Sequence, residues 1–182
     1  EIPFEDKLLP GYLYKADNSG SPRPTVIVNN GYDGTQQECY CTTVIALLQR
    51  GYHVVTFDGP GQGTALIKQG LTMRYDWDRV ITAVYEHIAG KCIVDHDRIA
   101  LLGISWGGML AAIGASQEKR LAALITIPGQ WDALLSLRRY SPEIIEIVEK
   151  GDSQELTTTV ARLLNNEIVA LKFRARMYIH GC

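Results

Sequence analysis

Four short runs of nearly uninterrupted apolar residues recur along this chain, each separated from the next by a segment of helical character. They are TVIVNN (25–30), HVVTFD (53–58), RIALLGI (98–104) and LAALITI (121–127). Runs of this length, rich in Val, Ile and Leu, are what strands buried on both faces require. Between them, Val44, Leu47 and Leu48 fall at helical spacing within residues 36–50. Val80, Ile81, Val84 and Ile88 line one side of residues 74–89, and GGMLAAIGAS reads as a helix of small residues. Such alternation predicts an α/β fold: a parallel sheet with right-handed crossovers and helices on both faces. GYLYKAD (11–17) adds a strand ahead of the series, followed by a polar turn. After Pro128 the alternation stops. SPEIIEIVEK, opening on a Ser cap and a Pro at the first helical position, SQELTTTVARLLNN and EIVALKFRARMYI all read as helices. The expected organisation is therefore a core over residues 1–131 and a helical cap segment over 132–182.

Composition narrows the possible partners. With 46% apolar and 21% charged residues, the 182-residue chain has the make-up of a folded domain and not of a disordered one. A formal net charge of -2 provides no basic field for nucleic acid or an anionic membrane. No apolar run approaches the roughly 18 residues of a membrane-spanning helix. EIPFEDKLLPGY has neither a basic n-region nor an apolar h-region, so it is not read as a secretory signal. A chain starting on Glu1 is expected to have further sequence upstream. Cys39 and Cys41 are too close for a comfortable bridge, and with Cys92 and Cys182 they are too sparse for a disulfide scaffold. These features favour a cytoplasmic protein acting on a small molecule, with a homo-oligomer left open.

One hydroxyl stands at a junction that carries chemistry. Ser105 lies in Gly103-Ile104-Ser105-Trp106-Gly107, a G-x-S-x-G pattern at the end of a predicted strand and the start of a predicted helix. A nucleophile elbow needs that context, because small residues two before and two after the Ser let strand and helix approach closely. The hydroxyl then stands above the carboxyl end of the sheet, and the helix entered at Trp106 directs its positive dipole end at a developing anion. The plainer alternative is a Gly-rich turn whose Ser caps the helix.

Acyl transfer also needs donors for the oxyanion. One is the amide of the residue after the nucleophile, Trp106. The second is expected from NNGYDGT (29–35), where Asn30-Gly31-Tyr32 stands in place of a His-Gly-x motif and offers the Tyr32 amide. That loop is otherwise an ordinary glycine turn. DGPGQGT (58–64) fits a dinucleotide fingerprint poorly, since a Pro interrupts it and its glycines run G-x-G-x-G. No cofactor is therefore expected, and Asp58 is read as a structural acceptor anchoring this loop under the site.

The blocks VIVNNGYDGTQQE, GYHVVTFDGPGQGT, YDWDRVITAV, DHDRIALLGISWGG and LAALITIPGQWD together resemble the α/β-hydrolase superfamily. They are most similar to the branch of FrsA-type esterases, dihydroxypseudooxynicotine hydrolases and their fungal relatives. The resemblance covers residues 9–132 well and the remainder loosely. It implies a Ser-His-Asp hydrolase without metal or organic cofactor, acting on esters, amides or activated carbon–carbon bonds next to a ketone. It also implies a helical segment ahead of the core in several relatives.

The rest of the constellation is incomplete. A triad of this type runs Ser, acid, His along the chain. His180 is the histidine that follows Ser105, but FRARMYIHGC reads as a helix end with Gly181 as its cap, where a histidine favours the negative dipole end. Asp132 in IPGQWD is a candidate acid or a loop residue, and Asp152 a helix cap. His53, His87 and His96 read as solvent-side histidines. No strand-like runs follow Pro128, which argues against a naturally short serine hydrolase. The expectation is a segment of a longer enzyme, inactive alone, with its base beyond residue 182. A non-catalytic binding protein of the same fold and a nucleotide-binding domain are the rivals. Tyr32, Tyr75, Trp77 and Trp106 are candidates for an aromatic pocket lining or for the core.

Overall fold

The computed structural model describes residues 1–130 and 132–181. The chain divides into two compact units, Glu1–Gly129 and Gln130–Cys182.

The first unit opens with an antiparallel hairpin of β1 (Ile2–Phe4) and β2 (Lys7–Leu9), which the sequence pattern had not revealed. A five-stranded sheet follows. Its spatial order is β3 (Gly11–Tyr14), β5 (His53–Phe57), β4 (Arg23–Asn29), β6 (Val94–Ile104) and β7 (Ala123–Ile127). All neighbours are parallel except β3, which runs antiparallel to β5. This is the α/β fold expected from the alternation. From β4 the chain moves to β5 on one side, whereas from β6 it moves to β7 on the other. Adjacent strands leaving in opposite directions open a crevice at their carboxyl ends, the place where ligands bind in sheets of this type.

Successive residues of a strand face opposite sides of the sheet. Ile27, Val55, Phe57, Ile99 and Leu101 therefore pack on one face with Trp77, Val80, Ile81, Val84 and Ile88 of α3 (Trp77–Ala89) and with Leu110 and Ala111 of α4 (Trp106–Gln117). Ile2, Phe4 and Leu9 of the hairpin join that cluster. Val26, Val28, Val54 and Leu102 face the other way, against Cys39, Val44, and Leu47 and Leu48 of α1 (Ile45–Leu48). The small residues of α4 permit close helix packing: a Cβ on Gly114 would lie 2.8 Å from Cβ of Ile81 in α3.

Several local expectations need correction. The helix expected over 36–50 begins as a wide π turn, Tyr40–Val44, before becoming α1. Within that turn Thr42 Oγ1 donates back to the Glu38 carbonyl at 3.2 Å, a bond that competes with regular helix geometry. β6 starts at Val94, earlier than the apolar run from Arg98; residues 95–98 are its more exposed part, and a register shift opposite Arg23 and Thr25 marks where the buried part begins. β7 is exposed along most of its length, with Ile127 55% accessible, because among the described residues it pairs only with β6. His53 is buried, at 2% accessibility, and not at the solvent side. Its Nδ1 accepts the Ala16 amide at 3.0 Å, and burial lowers its pKa. His87 is half-buried and His96 exposed.

The second unit contains α5 (Ala133–Tyr140), α6 (Pro142–Lys150), α7 (Ser153–Leu164) and α8 (Glu167–His180). Pro142 sits in the first turn of α6 as expected, but Ser141 makes no side-chain cap bond. Gly151 closes α6 in the left-handed region at φ 70, a conformation that costs glycine little. Asp152 caps α7 by accepting the Glu155 amide at 2.8 Å, and Asn166 caps α8 through the amides of Ile168 and Val169. No described helix is long and apolar enough to cross a membrane.

Candidate active site

β6 ends at Ile104 and α4 begins at Trp106, leaving Ser105 between them at φ 57, ψ -128. Among the described residues, Glu5 is the other non-glycine with positive φ. Such a conformation costs on the order of 1–3 kcal/mol and persists only where the surroundings enforce it. Here the Ser105 amide donates to the Ile127 carbonyl at 2.6 Å, and the Ser105 carbonyl accepts the Gly108 amide at 2.9 Å. Close approach does the rest. A Cβ on Gly107 would collide with the Asn30 carbonyl oxygen and lie 2.5 Å from that of Asn29. A Cβ on Gly103 would run into the Gly107 backbone and lie 2.7 Å from Cβ of Ala111. The glycines of G-x-S-x-G are thus required by backbone contact, and Ser105 is exposed at the turn. The Trp106 amide is in the first turn of α4, where helix geometry leaves N–H groups without partners inside the helix.

The turn after β4 faces this one. A Cβ on Gly31 would lie 3.3 Å from Cβ and 3.7 Å from Oγ of Ser105, so backbone passes close beside the hydroxyl. The rings of Tyr32 and Trp106 meet edge to face, with centroids 5.6 Å apart. Between the two turns opens a cleft of about 240 Å³, lined by Asn30, Gly31, Asp33, Gly34, Glu38, Cys39, Thr42, Ile104 and Ser105. The structure therefore gathers Ser105, Trp106 and the Gly31–Tyr32 segment at one place. The aromatic lining considered from the sequence is not what surrounds the cleft. Trp77 is core, donating from Nε1 to Asn29 Oδ1 at 2.7 Å, and Tyr75 is 90% exposed.

A second nucleophile type also lines the cleft. Burial pushes the Cys39 thiol up to about 11, with the negative charges of Glu38 and Asp58 adding to it. At neutral pH Cys39 is thus a protonated thiol, an unreactive form next to an accessible hydroxyl.

Buried polar groups hold the loop after β4 from below. Asp58, at the end of β5, has no accessible surface and accepts the Gln36 amide at 2.7 Å and the Thr64 amide at 2.9 Å; Thr64 belongs to α2 (Gly63–Gln69). The anchoring role read for Asp58 is what these bonds describe. Gln62, from the same Gly-rich loop, reaches the carbonyls of Asn30 and Gly31. Gln62, Glu38 and Cys39 were missed in the sequence. The signal for Gln62 was a long amide side chain inside a glycine loop that follows a buried strand.

Asp132 and His180 belong to the second unit. Asp132 Oδ1 accepts the amides of Leu134 at 2.7 Å and Leu135 at 3.3 Å, capping α5. His180 is the exposed last residue of α8, followed by Gly181 at φ 76, the helix-end placement its neighbours indicated.

Comparison with known proteins identifies the scaffold. Residues 26–171 match the model of the alpha/beta hydrolase family. This chain belongs to that family. It is 38% identical over 140 residues to Hydrolase LUC6 of a Fusarium species, covering 72% of this chain and 33% of that protein. It is 37% identical over 150 residues to the 20-hydroxy-prefusarin hydrolase FUS2 of Gibberella moniliformis, covering 78% and 36%. Among solved structures it resembles the 2,6-dihydroxy-pseudo-oxynicotine hydrolase, with a TM-score of 0.58 and 32% identity over 63% of this chain and 31% of that one. The chain spans about a third of the length of the curated relatives it matches.

Proposed function

We propose that this hydrolase acts on a small carbonyl substrate through Ser105 as nucleophile. The observation that carries the reading is the enforced bend at Ser105, which presents an exposed hydroxyl at the mouth of a helix and beside a glycine backbone. In the reaction, Ser105 Oγ adds to the carbonyl carbon as a general base removes its proton. The amides of Trp106 and Tyr32 receive the resulting oxyanion, and each such donor is commonly worth about 3 kcal/mol in the transition state. The tetrahedral adduct expels the leaving group, which takes up the proton, and water then releases the acyl group from Ser105 by the same steps in reverse order.

The cleft suggests the charge of the substrate. Its lining includes the carboxylates of Asp33 and Glu38 and, among the described residues, no Lys, Arg or His. Neutral or cationic acyl compounds are therefore favoured over anionic ones. Esters, amides and ketones with an activated carbon–carbon bond all fit the same chemistry. The 32% identity to a 2,6-dihydroxy-pseudo-oxynicotine hydrolase is a reason to include aryl ketones in the screen.

The test is reaction of the intact protein with a fluorophosphonate and with short-chain p-nitrophenyl esters. Phosphonylation at Ser105, lost together with turnover in Ser105→Ala, is the expected result. Absence of labelling, or labelling that survives the substitution, would overturn the reading. His180→Ala separates the two sources of base considered from the sequence. A large loss of turnover assigns the base to His180, and retained turnover assigns it to another histidine.

A further inference from the structure

The geometry points to Gln62 as the positioning residue for the Tyr32 amide, acting by holding the carbonyl of the peptide that carries it. This assignment rests on the serine-hydrolase reading above and adds what aims one of its two oxyanion donors.

Gln62 is 1% accessible and lies just before α2, on the loop after β5. Its side chain does not cap that helix. Nε2 instead donates to the Gly31 carbonyl at 2.8 Å and to the Asn30 carbonyl at 3.1 Å, while Oε1 accepts the Gly59 amide at 3.1 Å. A primary amide has two N–H donors at one end and a carbonyl oxygen at the other. Two backbone carbonyls beside Nε2 and the Gly59 N–H beside Oε1 favour this orientation, with the Asn30 side-chain amide packed against the same group. Nε2 thus donates to successive carbonyls of the loop that borders Ser105, the shorter bond being to Gly31.

The consequence follows from peptide geometry. The Gly31–Tyr32 peptide is trans, so its C=O and its N–H point in opposite directions. Holding the Gly31 oxygen toward Gln62 sends the Tyr32 N–H out on the other side. Gly31 is also where an added Cβ would lie 3.3 Å from Cβ of Ser105, so this peptide borders the hydroxyl. Without the clamp, a peptide next to glycine rotates at low cost, since glycine occupies both halves of φ space. Rotation would present a carbonyl oxygen where the oxyanion forms, replacing attraction by repulsion.

A tie that served only to hold the loops together would show itself in stability, with no preference for the transition state. Two variants separate the roles. Gln62→Met keeps the length of the side chain and removes its donors and acceptor. Gln62→Glu keeps an acceptor for the Gly59 amide but turns a carboxylate oxygen toward the two carbonyls. In both, kcat for a p-nitrophenyl ester should fall by about tenfold to a hundredfold with KM changed by about twofold or less. Affinity for a trifluoromethyl ketone, which forms the tetrahedral adduct, should fall by the same factor as kcat. Affinity for an unreactive substrate amide should stay constant. If Gln62→Met fails to fold, Gln62→Asn, one methylene too short to reach both loops, gives the same reading. Labelling of the wild type at Ser105 together with unchanged trifluoromethyl ketone affinity in the Gln62 variants overturns this assignment alone. Failure of the wild type to label at Ser105 overturns the serine reading and this assignment with it.

Discussion

The turns after β6 and after β4 face one cleft, yet they are held in shape by opposite means. The β6 turn is short and held by close backbone approach: Gly103 lets strand and α4 meet, Gly107 packs on the carbonyls of Asn29 and Asn30, and the Ser105 amide bonds the Ile127 carbonyl. The β4 turn is longer and takes its shape from elsewhere. Asp58 and Gln62, about thirty residues further along, supply the acceptors and donors that pin Asn30, Gly31 and Gln36. The first arrangement tolerates almost no added volume. The second tolerates volume better but depends on buried polar groups staying paired. The first turn is thus fixed by excluded volume and the second by paired buried polar groups, and both need the sheet to have formed.

Expected mutational effects follow this contrast. The largest is Ser105→Ala, which should lower ester turnover by about 10³-fold or more while leaving the far-ultraviolet circular dichroism unchanged. Next is steric. Gly107→Ala sets a methyl against the carbonyls of Asn29 and Asn30 and should destabilise the fold by about 3 kcal/mol or more, read by urea unfolding. Gly31→Ala, whose nearest new contact is 3.3 Å from Cβ of Ser105, should keep the fold and lose turnover. Equal unfolding of both would erase the distinction between the two turns. Asp58→Ala should follow, at about 2–4 kcal/mol, because the Gln36 and Thr64 amides lose a buried acceptor. A cost below about 1 kcal/mol would mean that water replaces the carboxylate easily.

Smaller effects sharpen the picture. Ser105→Gly removes the positive-φ cost and should stabilise the inactive protein by about 1 kcal/mol, raising Tm by roughly 2–4 °C. The last prediction lies away from the cleft. His53 is buried with its pKa lowered from 6.5, so near that pH the unfolded chain binds more protons than the folded one. Stability should fall as pH drops through the ordinary histidine range and recover above it. His53→Gln should reduce that dependence in pH-resolved unfolding, leaving the part due to His87, whose pKa burial also lowers.

The alternation of apolar runs was legible because a strand buried on both faces has few alternatives to Val, Ile and Leu. The turn at Ser105 was legible because the glycines that its close contacts demand stand within five consecutive residues, although what they contact does not. Other features were hidden for a common reason. The hairpin of Ile2–Phe4 and Lys7–Leu9 is too short to show a period, and the exposure of β7 depends on its neighbours. His53 looks like any histidine at the start of a strand until Ala16 is brought to its ring across the chain. Asp132 was a candidate acid from position alone, and only the folded chain shows that its Oδ1 also caps α5 through the amides of Leu134 and Leu135.

Residue order was enough to establish a wound parallel sheet and a serine at the entrance to a helix, since both follow from steric and solvation rules acting over a few neighbouring residues. Three-dimensional packing alone settled which side chains surround that serine. Hydrogen bonds such as those from Gln62 to Gly31, or from Trp77 to Asn29, join segments tens of residues apart, and no local pattern records a contact that exists only once the core has closed.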